Sequence, residues 1–129
     1  MRLLDLSYCR SLTTIPSEIG DMINLTHLYL IWCVSLTTLP PEIGDMINLT
    51  TLELSNCESL TTLPREIGDM INLTELCLTG CPIPIDNISP NIQRLFDQIE
   101  NRYRELKTDG VYTDMVFNMK MILLNQFRK

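Results

Sequence analysis

Residues 28–51 read LYLIWCVSLTTLPPEIGDMINLTT, and the same pattern stands on either side of them. Residues 4–27 read LDLSYCRSLTTIPSEIGDMINLTH, and residues 52–75 read LELSNCESLTTLPREIGDMINLTE. The three copies follow one another without insertion, and 17 of their 24 positions are identical. A fourth copy starts at Leu76 as LCLTGC and then departs from the pattern. A fixed period of this length is typical of a solenoid in which each copy forms one coil.

Leucines at the first and third positions of each copy alternate with other residues, as in a short strand that buries one face. The strand leucines are Leu4, Leu6, Leu28, Leu30, Leu52, Leu54, Leu76 and Leu78. Strands this short are unstable alone, but in successive coils they can stack about 4.8 Å apart and align their leucines in one core. We expect Pro40 and its copies to stiffen the turn after the strand, and Gly44 and its copies to permit a tight turn on the convex side. The sequence predicts an α/β solenoid with a short parallel sheet on its concave face.

The pattern LxxLxLxxCxSLTTLPxEIGxMxNLTxL, which covers residues 1–81, resembles the cytosolic leucine-rich repeats of plant-type intracellular immune receptors. Similar repeats occur in amoebal proteins and in proteins of large DNA viruses, which adds host–virus interaction to the expected roles. The resemblance implies a leucine-rich-repeat solenoid and is specific for the fold rather than for a function. It does not carry over the receptor role, because no nucleotide-binding or signalling domain is present.

The repeat gives way to a different segment, and we predict a solenoid over residues 1–81 and a C-terminal helical cap over residues 82–129. Ser89 and Pro90 supply the N-cap and the first-turn proline of one helix. Apolar residues follow at helical spacing, namely Ile92, Leu95, Phe96, Ile99, Tyr103 and Leu106. A second helix is predicted over residues 112–127. Because apolar residues lie around much of its circumference, contact with a partner helix or a membrane surface is the alternative to capping.

The composition narrows the classes of function. The formal net charge is −6, and nucleic-acid binding needs clustered lysine and arginine, so we expect no nucleic-acid partner. No apolar run approaches the roughly 18 residues of a membrane-spanning helix, so we expect no membrane association. Asp5 interrupts the apolar residues near Met1, which is unlike a secretory signal, and we expect an intracellular, cytoplasmic protein.

No pattern in the sequence supports catalysis. It contains no phosphate-binding glycine loop, no HExxH motif and no paired-carboxylate pattern. His27 is the single histidine, and the sequence fixes no serine, cysteine or carboxylate arrangement around it. We therefore predict a non-enzymatic protein with no cofactor and no bound metal.

Four cysteines recur at the repeat period, namely Cys9, Cys33, Cys57 and Cys81. In leucine-rich repeats this position carries a ladder of asparagine or cysteine side chains that satisfy backbone groups at the turn after the strand. A ladder points every thiol the same way, unlike the convergent ligands of zinc, and an intracellular chain disfavours disulfides. Cys77 lies between two strand leucines, so we expect its thiol on the opposite side of the strand. The sequon-like residues Asn24, Asn48 and Asn72 belong to the repeat, and we expect them to make structural hydrogen bonds.

Four of the seven variable columns flank the strand leucines, and we predict that they form a partner-binding surface on the concave face. The candidate residues are Tyr8, His27, Tyr29, Ile31, Trp32, Glu53 and Asn56. An aromatic centre with a polar rim is the composition of a binding hot spot. For Trp32 the alternative is local packing over the turn, or cover by the C-terminal segment. The leading prediction is therefore a protein–protein interaction module that binds a protein partner.

A structural, self-assembling protein is the alternative function. With no capping segment before it, the first coil would expose leucines along an unpaired strand edge, which favours association. Two chains would then pair as a homodimer through the first coil or through the C-terminal helices. The residues predicted to mediate this contact are Leu4, Leu6, Leu12, Met115, Met119 and Leu123.

Overall fold

The computed structural model describes residues 1–84 and 89–105. Within these residues, four short strands alternate with three 3₁₀-helices, and an α-helix follows. The strands are β1 (Leu3–Asp5), β2 (His27–Tyr29), β3 (Thr51–Glu53) and β4 (Glu75–Cys77). The helices are η1 (Ser17–Asp21), η2 (Pro41–Asp45), η3 (Arg65–Asp69) and α1 (Pro90–Glu105).

The four strands form one parallel sheet in the order β1, β2, β3, β4. Each strand residue lies beside the residue one repeat later, so that Leu28 of β2 is flanked by Leu4 and Leu52. The same register joins β3 to β4, where Leu52 lies beside Leu76. The spatial period of the sheet thus equals the sequence period, and the predicted solenoid with a short parallel sheet is confirmed.

The core is a set of apolar columns that run from coil to coil. The fully buried members of the second and third coils include Leu28, Leu30, Leu36, Ile43, Met46, Leu49, Leu52, Leu54, Leu60 and Ile67. One residue from each coil contributes to each column, so every coil packs against its neighbours. Stability in such an array is approximately a sum of coil and nearest-neighbour terms.

A proline precedes each 3₁₀-helix. The glycine inside the helix does not have the role in a tight turn that we expected. Pro40 precedes η2 in an extended conformation (φ −71°, ψ 149°), which stiffens the entry as predicted. The expectation that Gly44 permits a tight turn was wrong, because this glycine lies within η2 where the next coil packs closely. A β-carbon on Gly44 would lie 2.8 Å from the carbonyl oxygen of Glu66. Glycine is therefore needed here for close approach of two coils.

Side-chain ladders join successive coils through hydrogen bonds. The thiols of Cys33, Cys57 and Cys81 donate to the carbonyl oxygens of Leu6, Leu30 and Leu54, at 3.2, 3.0 and 2.9 Å. The amides of Asn48 and Asn72 donate to the carbonyl oxygens of Ile23 and Ile47, at 2.7 and 2.6 Å. The predicted cysteine ladder and the structural role of these two asparagines are confirmed.

Helix α1 takes the place that a fourth 3₁₀-helix would occupy. Its N-terminus is capped as predicted, because the Ser89 hydroxyl accepts a hydrogen bond from the Ile92 N–H at 3.2 Å. It packs against η3, and a β-carbon on Gly68 would lie 2.5 Å from the β-carbon of Asn91. Gly68 thus allows α1 to approach η3 closely, just as Gly44 allows η3 to approach η2. The residues of α1 that join the core of the coils are Ile92, Leu95, Phe96 and Ile99.

The predicted second helix over residues 112–127 lies outside the described residues. The division into a solenoid over 1–81 and a helical cap over 82–129 stays a prediction. Of that cap, the structure describes residues 82–84 and α1 with its preceding residue.

Candidate partner-binding surface

The sheet face opposite the strand leucines, here called the concave face, is built from three rows of side chains. One row contains Leu3, His27, Thr51 and Glu75, and the next contains Asp5, Tyr29, Glu53 and Cys77. A third row, just beyond the strands, contains Ser7, Ile31, Ser55 and Thr79. Parallel strands lie about 4.8 Å apart, so side chains within a row are direct neighbours.

The aromatic residues of this face lie on the second coil. The rings of His27 and Tyr29 meet edge to face, with centroids 6.2 Å apart and an interplanar angle of 79°. The His27 Nδ1 lies 2.8 Å from the hydroxyl of Thr26, which holds the imidazole in place. His27, Tyr29 and Ile31 are each half-buried, so this part of the face is ordered by its own contacts and still accessible.

Strand alternation had implied that Tyr8, Trp32 and Asn56 lie on the concave strand face. They lie instead at the turn that follows each strand. All three have left-handed backbone, with φ of 66°, 61° and 62°. Their N–H groups extend the sheet ladder, because Tyr8 donates to Ile31 O at 2.7 Å and Trp32 donates to Ser55 O at 2.8 Å. This conformation is uncommon for bulky residues and favours asparagine or glycine.

Two large aromatic side chains are nevertheless held at this turn. Tyr8 is 64% exposed, whereas Trp32 is 37% exposed, so contacts within the described residues cover most of Trp32 and leave part of its ring accessible. Their copies in the later coils are Asn56 and Gly80, the residue types that tolerate left-handed backbone. Comparing the four copies at this position is the sequence signal that could have located the turn. We call Tyr8 and Trp32 the aromatic corner.

Asn56, also predicted to contact a partner, is less available than the aromatic corner. It is half-buried, and its side chain occupies the space beside Gly80. A β-carbon on Gly80 would lie 2.4 Å from the Asn56 Oδ1. The asparagine thus packs against the fourth coil.

Carboxylates flank the aromatic residues. Asp5 and Glu53 lie on either side of Tyr29 in the same row. Asp5 accepts a hydrogen bond from the Ser7 N–H at 2.9 Å, and hydrogen bonding to Ser7 lowers the pKa of this carboxyl. The Glu53 Oε2 accepts from the Ser55 hydroxyl at 3.3 Å. Glu75, two strands from His27, adds a third carboxylate, at one of the variable positions that flank the strand leucines.

Cys77 lies on the concave face, as predicted from its position between two strand leucines. It is half-buried, and its sulfur lies 3.0 Å from the Ser55 hydroxyl and 3.5 Å from that of Thr79. These polar neighbours give the thiol an ordinary hydrogen-bonding role at the acidic end of the face.

The residues predicted to mediate self-association fall into two groups. Leu4, Leu6 and Leu12 are half-buried and pack against the core, whereas their copies Leu28, Leu30 and Leu36 are fully buried. The first coil thus keeps apolar surface accessible. Met115, Met119 and Leu123 lie outside the described residues.

A row of exposed isoleucines was missed by the sequence reasoning. Ile23, Ile47 and Ile71 follow the 3₁₀-helices and are 52%, 60% and 68% exposed. Each isoleucine lies directly between a methionine and an asparagine of the repeat, and these neighbours do not indicate that it is exposed. The position is identical in three copies, which made it look like part of the scaffold.

Metal-binding clusters and membrane-spanning helices are both absent from residues 1–84 and 89–105. In that part of the chain, no group of three or more histidine, cysteine, aspartate or glutamate side chains is arranged to hold a metal ion. No helix found there combines the length and the apolar character needed to cross a membrane.

Comparisons with known proteins agree with the coil architecture. A family model described as Leucine Rich Repeat matches residues 1–22 and 48–70. Together with the four stacked coils and the cysteine ladder, this match identifies the chain as a leucine-rich-repeat protein. The narrower resemblance to plant-type immune receptors and to amoebal and viral proteins stays a prediction.

Solved structures of leucine-rich-repeat proteins are similar to the chain. A leucine-rich-repeat protein of Leptospira interrogans is 44% identical over 56% of this chain, with a TM-score of 0.50. The leucine-rich-repeat domain of the type III effector XopL is 28% identical over 71% of this chain, with a TM-score of 0.58. The matches cover 18% and 33% of those two chains, so this chain spans a minor part of their length. The comparison with curated protein sequences gave no match.

Proposed function

We propose that the chain is a non-enzymatic interaction module that binds a protein partner through its concave face. Leucine-rich repeats serve in general as protein-interaction scaffolds, which supports the class of function. The single observation that carries the proposal is the aromatic corner. Holding Tyr8 and Trp32 in left-handed backbone costs about 1 kcal/mol each, yet Tyr8 stays 64% exposed and 37% of the Trp32 surface stays accessible. Exposed aromatics retained at such a cost are typical of binding anchors.

The residues next to the aromatic corner extend it into a larger accessible surface. Tyr29 and Ile31 lie on the same coil as Trp32, and both are half-buried and accessible. Together they form an apolar centre bordered by Asp5 and Glu53. In this proposal Trp32 and Tyr29 are the anchors, and His27, Ile31 and Glu53 complete the contact. Asn56 contributes at its margin.

The proposed location is the cytoplasm. All five cysteines have free thiols, and three of these take part in the ladder of hydrogen bonds. Ladder thiols must stay reduced to donate, which favours a reducing compartment.

The test is site-specific photo-crosslinking in cells that make the protein naturally. A photoreactive residue replaces Tyr29 in one variant and Ile47 in a matched control, since Ile47 is also exposed but lies outside the concave face. We expect a protein to crosslink at position 29 and not at position 47. Crosslinks obtained at position 47 alone would contradict the proposal.

The protein identified by crosslinking is then purified, and its affinity is measured by titration for the unaltered chain and for Trp32→Asn. Asparagine occupies the same turn with nearly the same φ at position 56, so the folded coil should be retained. Loss of a hot-spot tryptophan should weaken binding about 30-fold or more. Unchanged affinity in a variant with an unaltered circular dichroism spectrum would exclude Trp32 as an anchor.

Self-assembly as a homodimer is the second candidate. It is favoured by the accessible apolar surface of Leu4, Leu6 and Leu12 in the first coil. Sedimentation at tens of micromolar distinguishes the two functions. A strict monomer excludes self-assembly, whereas a dimer that Leu6→Gln dissociates and Trp32→Asn leaves intact supports it.

A further inference from the structure

The aromatic and acidic parts of the concave face cannot be covered separately. Tyr29 and Glu53 are register partners on adjacent strands, about 4.8 Å apart. On the other side of Tyr29 stands Asp5, also in register. A partner that packs against Tyr29 therefore also covers at least one carboxylate.

These carboxylates have no cation to compensate them. Asp5, Glu53 and Glu75 form no ion pair within the part of the chain that the structure describes. The strand segments themselves, residues 3–7, 27–31, 51–55 and 75–79, contain no lysine or arginine. The formal charge of these strand segments is therefore negative, and Arg2 directly before the first of them is the nearest arginine in the sequence.

Burying an unpaired carboxylate under an apolar partner removes its hydration without replacing it, which opposes the gain from an aromatic anchor. We propose that the partner of the concave face is a basic peptide segment in which arginine or lysine alternates with apolar side chains. This inference rests on the proposed function and specifies its partner. The apolar side chains meet Tyr29, Ile31 and Trp32, and the cationic groups meet Glu53 and Glu75.

The geometry suits arginine in particular. Its planar guanidinium can stack on the ring of Tyr29 while it donates to the Glu53 carboxylate one strand away. A compact metal ion fits less well, because Asp5 and Glu53 stand on the strands either side of β2, whose backbones lie about 9.6 Å apart. Carboxylates carried by separate strands match a chain of separate cationic groups.

Trp32 is the only tryptophan in the chain, so its fluorescence reports directly on this face. The probe is a blocked hexapeptide of alternating leucine and arginine, compared with the same peptide carrying citrulline, which keeps the shape of arginine without its charge. We expect the arginine peptide to change Trp32 fluorescence and to bind about tenfold more tightly than the citrulline peptide at low salt.

Paired variants locate the effect. Glu53→Gln/Glu75→Gln should weaken the arginine peptide about tenfold, to the level of the citrulline peptide. Asp45→Asn/Asp69→Asn removes the same charge from exposed positions in η2 and η3 and should change its affinity less than about twofold. Equal binding of the two peptides, no binding of either, or an equal effect of the two paired variants would overturn the proposal.

This result is separable from the test of the proposed function. If the partner crosslinked at Tyr29 contacts the face through an acidic or uncharged segment, concave-face binding stands and the basic partner is wrong. If the arginine peptide binds as expected and no protein crosslinks at Tyr29, the face prefers cationic segments and the cellular role proposed for it fails.

Discussion

At the scale of single residues, the cysteine ladder shows how one side chain can serve both core and backbone. Cys33, Cys57 and Cys81 are buried, and each donates its thiol proton to a carbonyl of the preceding coil. Burial raises the pKa of Cys33, and hydrogen bonding with Cys57 together with burial raises that of Cys81. The ladder thus favours the protonated form of Cys33 and Cys81, whereas the hydrogen bond with Cys81 lowers the pKa of Cys57.

A pH dependence of stability follows. A thiol whose pKa is raised in the folded state stays protonated there, while in the unfolded chain it ionises near its ordinary value of 9.0. The unfolded state then binds fewer protons, so the contribution of Cys33 and Cys81 to the free energy of unfolding should be constant below pH 9 and fall as the pH rises above it. Urea denaturation between pH 7 and 10 measures this change. Alkylation followed by mass spectrometry should modify exposed Cys9 before Cys33 or Cys81, and equal rates would contradict the ladder.

At the scale of the secondary-structure elements, each 3₁₀-helix places one isoleucine in the core, and the turn after the helix places another isoleucine in solvent. Ile43 in η2 is fully buried, and Ile47, four residues later, is 60% exposed. In an α-helix, two residues at this spacing would lie on one face. The helix ends at Asp45 instead, and the Ile47 N–H turns back to the Asp45 carbonyl at 2.9 Å.

These two isoleucines provide a matched test of the coil. Ile43→Ala should cost about 2 to 5 kcal/mol of unfolding free energy, because it leaves a cavity between η1 and η3. Ile47→Ala should cost about 0.5 kcal/mol or less, as for an exposed position. Urea denaturation at constant pH measures both. Similar losses would mean that Ile47 is covered in solution, by a second chain or by residues outside the described ranges.

At the scale of the whole molecule, α1 closes the last coil that the structure describes. Its apolar residues Ile92 and Leu95 belong to the same core as Ile67 and Met70, and α1 packs against η3. Because each coil contacts only its neighbours, removing the contact with α1 should loosen the third and fourth coils first.

Leu95→Ala tests this coupling. Leu95 is buried, and its loss should cost about 2 to 5 kcal/mol, whereas the exposed Gln98→Ala should cost about 0.5 kcal/mol or less. Hydrogen exchange should show lower protection in β4 and β3 before β2. Uniform loss of protection across the sheet would indicate that the coils unfold as one unit.

Much of the fold could be predicted because the sequence contains three copies of the same 24-residue pattern. The strand leucines, the cysteine ladder and the N-cap at Ser89 depend on local periodicity and local chemistry, and all three are confirmed. The role of Gly44 could not be read in this way. Its reason is the backbone of Glu66 in the next coil, 22 residues further along the chain. The exposure of Ile47 could not be predicted for a different reason, since it depends on the end of η2 at Asp45.

The candidate site was predicted in outline from the variation among the copies. Sequence alone determined the repeat, the solenoid and the set of variable residues on one sheet face, because a period of 24 residues and strand alternation leave little choice. Only the tertiary structure decided that Tyr8 and Trp32 stand at a left-handed turn and that Glu53 lies beside Tyr29. Backbone handedness and register arise from hydrogen bonds between coils, and a single copy of the repeat does not contain them.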